Sequence, residues 1–435
     1  MSAGDHLLAR SGRPVRRTPW LVFLFLAVVF FFVYHDLSYA KSGIGNYDAA
    51  EETIVSAVAE GSVPRRMALI SLAIFAMFTL TRHRADVQLR IQGYLGWILV
   101  ASAAWTFLSP IWAEDKALTV TRVTVFGILC MAALAMVSRF SLREIVLWTF
   151  FSSGLYLVIG VFAEALFGTF RPLASGYRFA GTLHPNLQGI NCALFLLSGI
   201  AAADMEKSGQ VIFRICALVG FFFLVLSASR TSFAVVLLAL AAYAWVMYSR
   251  RAKMAMAYAL SIVFCVLALV FGNSFLPNLK SAVMLGRDDS TIGSFNGRTG
   301  IWDEIGKYVQ KRPIAGYGYA GFWTPNHISE ISEEEKWGIP NSHSAYLDNL
   351  LALGVVGLVA YGVSLFAGIK QAFRFQRRYH NSVYAFCGAL LLFCAMDSFL
   401  ESAPIEPSLL MLAGMVVLAQ MAFVRPDPPC RERGA

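Results

Sequence analysis

Apolar positions along this chain come in long unbroken blocks rather than in the spaced patterns of a soluble protein. The blocks cover residues 20–35, 67–81, 91–108, 118–137, 145–167, 187–203, 211–228, 231–248, 255–272, 345–369, 383–400 and 406–424. Most approach the ~20 residues a helix needs to cross a hydrocarbon core, and 67–81 is the shortest. An unpaired backbone polar group in lipid costs several kcal/mol, so each block is expected to be helical. The pattern predicts an all-α integral membrane protein of about twelve transmembrane helices. The domain reading is a helix bundle over 1–425 with one large polar loop, 273–343, inserted between spans nine and ten. A loop of that length is functional or disordered. Phe295, Trp302, Tyr308, Tyr317, Tyr319, Phe322, Trp323 and Trp337 argue for order. Within it Ile301, Trp302, Ile305 and Val309 recur at helical spacing and Pro313 stops the run. This predicts an amphipathic helix over 298–310, lying on the membrane surface or on the bundle. A second, acidic helix is expected around 328–337, facing solvent.

Composition supports the membrane reading, because 57% of residues are hydrophobic and only 14% charged, too few charges to cover a soluble surface. The net charge of +9 could suggest nucleic acid, but its distribution excludes that partner. Positive residues gather in alternate loops: Arg10, Arg13, Arg16 and Arg17; Arg82, Arg84 and Arg90; Arg139 and Arg143; Lys207; Arg250, Arg251 and Lys253; Lys370, Arg374, Arg377 and Arg378; and Arg425, Arg431 and Arg433. The positive-inside rule puts these loops and both termini in the cytoplasm, and the large loop on the periplasmic side. The first block has a second reading: Arg16 and Arg17, an apolar run and Ser38-Tyr39-Ala40 also fit a cleavable signal peptide. Six of the seven cysteines fall inside apolar blocks and Cys430 is in the inner tail, so they read as small packing residues and not as a disulfide framework.

Ionisable side chains inside spans are expensive and usually functional. Here Arg122, Glu164, Arg230, Asp348, Asp397 and Glu401 sit near outer span ends, and only Arg214 is near an inner one. A secondary transporter binds near the midplane, with broken helices and an internal repeat. A charged cavity open to one side suits an enzyme acting on a membrane-embedded substrate. The competing structural reading is that these charges pair and hold the bundle together.

Four outer segments carry the chemistry. They are Arg178-Phe179-Ala180-Gly181-Thr182-Leu183-His184-Pro185-Asn186; the Ser229-Arg230-Thr231 turn; Gly297-Arg298 with Trp302 and then Pro313-Ile314-Ala315-Gly316-Tyr317-Gly318; and Asn341-Ser342-His343-Ser344-Ala345-Tyr346-Leu347-Asp348, entering a span with Gly354 and Gly357. With Ser109-Pro110-Ile111-Trp112 and Asp115, their order resembles the O-antigen ligase/polymerase superfamily of bacterial polysaccharide assembly, over about residues 100–400. Within it the chain is most similar to exopolysaccharide repeat-unit polymerases, and the ligase branch shares the same landmarks. The resemblance implies an inner-membrane enzyme performing inverting, metal-independent glycosyl transfer. Its donor is a glycan on undecaprenyl diphosphate, and its acceptor is a glycan or a lipid. It also implies two outer arginines on the diphosphate and a histidine for the acceptor, matching Arg230, Arg298 and His343. Partners are then membrane lipids and other polysaccharide assembly proteins.

Elementary chemistry leads to the same residues. A lipid diphosphate leaving group beside hydrocarbon needs fixed cations, and guanidinium matches phosphate bidentately. Arg230, Arg298 and Arg178 are candidates. An acceptor hydroxyl must lose its proton as it attacks, and His343 is the candidate base. Asp348 could orient the imidazole, His184 could be a second acid/base, and Arg122 could lend support. Structural alternatives stand beside each: an interfacial anchor for Arg230, an exposed loop-helix charge for Arg298, a helix cap for His343. For His184-Pro185-Asn186 the turn reading, with Asn186 as N-cap, is favoured. No HExxH, His/Cys cluster, outer DxD, P-loop or strand-borne GxGxxG occurs, so no metal and no cofactor are expected. The rival functions are ligation onto a lipid core and transport or flipping of the lipid-linked sugar.

Overall fold

The computed structural model describes residues 20–42, 54–56, 58, 61–82, 89–174, 176–248, 298–335 and 338–426. The apolar block 255–272, the first part of the polar stretch (273–297) and Trp337 lie outside the described residues. Among the described residues the secondary structure is helical, with no strand. The principal helices are α1 (Trp20–Tyr34), α2 (Val63–Thr81), α3 (Gly93–Leu108), α4 (Lys116–Arg139), α5 (Leu142–Leu166), α6 (Pro185–Met205), α7 (Gln210–Leu226), α8 (Arg230–Met247), α9 (Arg298–Lys311), α10 (Pro325–Glu335), α11 (Ala345–Tyr379), α12 (Ser382–Asp397) and α13 (Leu409–Phe423).

Among the described residues eight helical stretches are long and apolar enough to cross a membrane, namely α2, α4, α5, α6, α8 and α11, α3 continued through its following turn to Ile111, and α7 with its preceding turn from Lys207; α1, α12 and α13 are shorter apolar helices. The block at 67–81, short in the sequence, is carried by a helix of 19 residues that begins with Pro64 in its first turn. Local signals set other boundaries. Asp115 accepts the Leu118 amide at 2.9 Å to start α4, and Ser141 with Glu144 forms a reciprocal capping box on α5. At α6 the cap is His184, whose Nδ1 accepts the Asn186 amide at 3.3 Å, with Pro185 in the first turn. The expectation of Asn186 as N-cap is therefore corrected: Pro185 opens the helix and leaves the preceding residue to cap it.

The bundle is centred on α6, which packs against α5, α7, α8 and α12. Small residues such as Ser198, Ala201, Ala202 and Ala203 are fully enclosed there and let neighbouring helices come close. By contrast α2, α3 and α7 leave Ile74, Trp97 and Leu218 exposed on an apolar outer face, as a lipid-facing surface requires.

The longest helix, α11, is broken. Gly354 has φ 65 and ψ −166, a conformation open essentially to glycine alone. The break releases backbone groups, and the segment after α9 fills it. Val355 N–H donates to Pro313 O at 2.8 Å, Tyr317 N–H to Leu351 O at 2.8 Å, and Gly318 N–H to Ala352 O at 2.9 Å. Trp112 Nε1 donates to Ala315 O at 2.7 Å, and Trp105 Nε1 to Leu353 O at 3.2 Å. Gly316 is needed because a Cβ there would lie 2.4 Å from Leu351 O. The Pro313–Gly318 motif is thus a plug that satisfies a broken apolar helix, as backbone at membrane depth requires.

The amphipathic helix expected over 298–310 is present as α9. It lies on the bundle against α11 and buries Ile301, Ile305 and Tyr308. The acidic helix expected to face solvent is corrected in part. It runs Pro325–Glu335 and buries Ile328, Ile331 and Ser332, leaving its acidic side outward.

Candidate active site

Three stretches converge where α9 meets the bundle. The first is 177–186, shaped by Glu164 at the end of α5. This buried carboxylate accepts the amides of Ala180 at 3.0 Å and Gly181 at 2.7 Å, and the Tyr177 hydroxyl. Thr182 is held from the end of α1, through its Oγ1 to His35 Nδ1 at 2.6 Å and through its carbonyl to the Asp36 amide at 2.9 Å. So fixed, Arg178 donates through Nε to Ser227 O at 3.2 Å and through Nη2 to Asn186 Oδ1 at 2.8 Å.

The second stretch is the turn before α8. Ala228 has φ 51, and Ser229 Oγ donates to Ser232 Oγ at 2.9 Å. Ser232 Oγ reaches the Asn186 carbonyl at 3.5 Å. Arg230, half-buried, is the first residue of α8, beside this seam.

The third stretch is 341–348. His343 is held at φ 53, a region costly for a non-glycine residue, roughly 1–3 kcal/mol. Its amide donates to Asn341 Oδ1 at 2.9 Å. Ser342 Oγ donates to Ser344 O at 2.8 Å, and the Ser342 amide to Asp348 Oδ1 at 3.2 Å. Asp348 also accepts Trp323 Nε1 at 2.9 Å and the Ser402 hydroxyl. It pins the histidine-bearing turn. Trp302 Nε1 donates to Ser342 O at 3.0 Å, which ties α9 to the same turn.

Arg298 joins the three. Only 7% exposed, it donates Nη2 to Glu401 Oε1 at 2.9 Å and Nη1 to the Leu400 carbonyl. Asn186 Nδ2 donates to the same Glu401 oxygen at 3.1 Å. A continuous chain therefore runs Arg178–Asn186–Glu401–Arg298. Glu401 is nearly fully buried, and burial pushes its carboxyl up while Arg298 pulls it down. His343 Nε2 is shielded from solvent. Burial, with Arg298 and His184 close enough to act on it, pushes the imidazole down to about 3. It is neutral at pH 7 and so able to accept a proton.

Arg122 is elsewhere. With Arg65 it lines a separate cavity of about 130 Å³, whose wall includes Asn341, Asp348 and Glu406. Sequence reasoning missed Arg65, Glu406 and the pairing of Glu401 with Arg298. Two acids within Ser398–Ser408, a segment between apolar helices, were the available signal.

Membrane-length helices with this charged cluster at one end define a multi-pass membrane protein. A family model described as O-Antigen ligase matches residues 215–362, part of the chain. The matched span includes Arg230, Arg298, His343 and Asp348; Arg122, Arg178, His184 and Asn186 precede it. No curated protein matches the chain.

Proposed function

We propose that the protein polymerises glycan repeat units, transferring them from undecaprenyl diphosphate carriers at the periplasmic face of the bacterial inner membrane, with both termini cytoplasmic and twelve spans in all. The observation that carries this reading is the buried Arg298 beside a neutral His343, on a cluster that also holds Arg178 and Arg230. The donor diphosphate takes Arg298, Arg230 and Arg178 as its cationic cradle, competing with Glu401 for Arg298. Its negative charge then favours the charged imidazolium and strengthens His343 as a base. An acceptor hydroxyl gives its proton to His343 Nε2 while its oxygen attacks the anomeric carbon. The anomeric C–O bond to phosphate breaks, the electron pair leaves with the diphosphate, and the anomeric configuration inverts. Guanidinium groups in a low-dielectric site stabilise the departing charge where water is scarce.

The test is product length on a gel, from purified protein in lipid with its diphosphate-linked repeat unit and no other protein. Wild type is run beside His343→Ala and Arg230→Ala. A ladder from wild type alone is the expected result. Transfer only after a lipid acceptor is added would make the protein a ligase. Equilibration of the lipid across the bilayer without transfer would make it a transporter.

A further inference from the structure

The proposed transfer uses one of two arginine clusters at this end of the molecule. The other lines the cavity of about 130 Å³. Its wall combines Arg65 at the start of α2 and Arg122 in the second turn of α4 with Asn341, Glu406, Tyr319 and Trp323. Among the described residues no hydrogen bond or ion pair engages either guanidinium. Arg65 feels the charges of Arg122 and Glu406. Among the described residues, two half-buried like charges are held together with no bonded counter-charge, an arrangement that costs energy unless an anion completes it.

The other groups do not complete it. Both oxygens of Asp348 are engaged, by Trp323 and the Ser342 amide on one side and by Ser402 on the other. Glu406 accepts Asn341 Nδ2 at 2.6 Å, and burial beside Asp348 pushes its carboxyl up to about 7. At neutral pH it is therefore protonated about half the time, and in that form it donates to an anion rather than repelling it. The size limits the occupant. At ~30 Å³ per water the space holds about four, well below the ~300 Å³ at which whole-ligand pockets begin. One phosphate or carboxylate group fits; a glycan does not.

Position says which substrate brings it. Asn341 bridges the two sites: its Nδ2 serves Glu406 in the cavity and its Oδ1 accepts the His343 amide at 2.9 Å. A group anchored here lies across the 341–343 turn from Arg298. We propose that the Arg65–Arg122 cavity is an anion subsite that anchors the acceptor by one phosphate or carboxylate group, and so presents its hydroxyl to His343. This rests on the glycosyl-transfer reading. The anion is either a phosphate of the acceptor lipid or the carboxylate of an acidic sugar.

The probes are inorganic diphosphate and D-glucuronate, titrated separately against the full chain in lipid discs. Arg65→Gln/Arg122→Gln is expected to weaken one probe by about tenfold or more, the loss that accompanies removal of charge-assisted hydrogen bonds. The probe affected identifies phosphate or carboxylate as the source. Diphosphate also meets the donor cradle, so its Arg65–Arg122 component is the difference in affinity between wild type and Arg65→Gln/Arg122→Gln. Affinities for both probes that match wild type would overturn the subsite. Should the arginine variants fail to fold, Glu406→Gln serves: above pH 7 it is expected to tighten the probe several-fold, and unchanged affinity overturns the proposal. If wild type binds a probe through Arg65 and Arg122 yet forms no polymer, the anion subsite stands and the glycosyl-transfer reading falls.

Discussion

Arg298 and Glu401 form a buried ion pair in which each charge depends on the other. Removing one partner leaves an uncompensated charge, typically at a cost of about 3–5 kcal/mol. Arg298→Ala is therefore expected to lower the melting temperature markedly in detergent. Arg298→Ala/Glu401→Ala should recover most of that loss and none of the transfer activity. Equal melting temperatures for wild type and Arg298→Ala would show that the pair is not buried as described. His343 carries a pH prediction. Its imidazole is pushed from 6.5 down to about 3, so the unfolded chain binds the proton first as pH falls. Its contribution to stability is complete above pH 6.5 and drains away between 6.5 and about 3. Glu406 acts in the opposite sense, since a carboxyl raised to about 7 stabilises the fold below 4.5 and loses that contribution as pH rises through 7. The His343 component is isolated as the difference between wild type and His343→Gln across this window. A flat difference would contradict the burial of the ring. None of this was legible in the residue types alone. Arg298, His343 and Glu401 lie 45 to 103 positions apart in sequence, and only the docking of α9 brings Arg298 to Glu401.

At the scale of elements, the site depends on the broken helix. The plug 313–318 follows α9 directly and locks into α11 at Gly354, so the break sets where Arg298 and Trp302 land. An ideal Cβ at Gly354 lies 2.0 Å from Ile314 O, on a backbone conformation that side chains avoid. Gly354→Ala is expected to cost at least about 3 kcal/mol, beyond the range for ordinary strained positions, because clash adds to strain. Limited proteolysis between α9 and α11 should accelerate accordingly, and an unaltered cleavage rate would show that the plug is not seated there. The helix over 298–310 was readable from its apolar spacing and Pro313. The function of Pro313–Gly318 was not, because it is a set of backbone bonds to a distant helix, with little side-chain signature. The acidic helix was misjudged for a similar reason: three buried residues, Ile328, Ile331 and Ser332, suffice to dock it, and its charges dominate the local sequence.

For the whole molecule, block length and charge sufficed for the membrane class, since eight described helices reach spanning length. The clustering of ionisable residues at one end was also visible, as Arg178, Asn186, Arg298 and Glu401 form one bonded chain. The division of that end into two clusters was not, because Arg122 and Arg230 occupy equivalent places in the sequence pattern and different places in space. The account's central claim is that a neutral His343 beside a buried cation takes the acceptor's proton. The direct measurement is the initial rate of chain elongation by purified wild type, His343→Ala and His343→Gln, each with its melting temperature recorded. A loss of about 10²–10⁴-fold in both variants, at unchanged lipid-diphosphate binding, is the predicted result. Elongation at the wild-type rate by either variant would contradict the account.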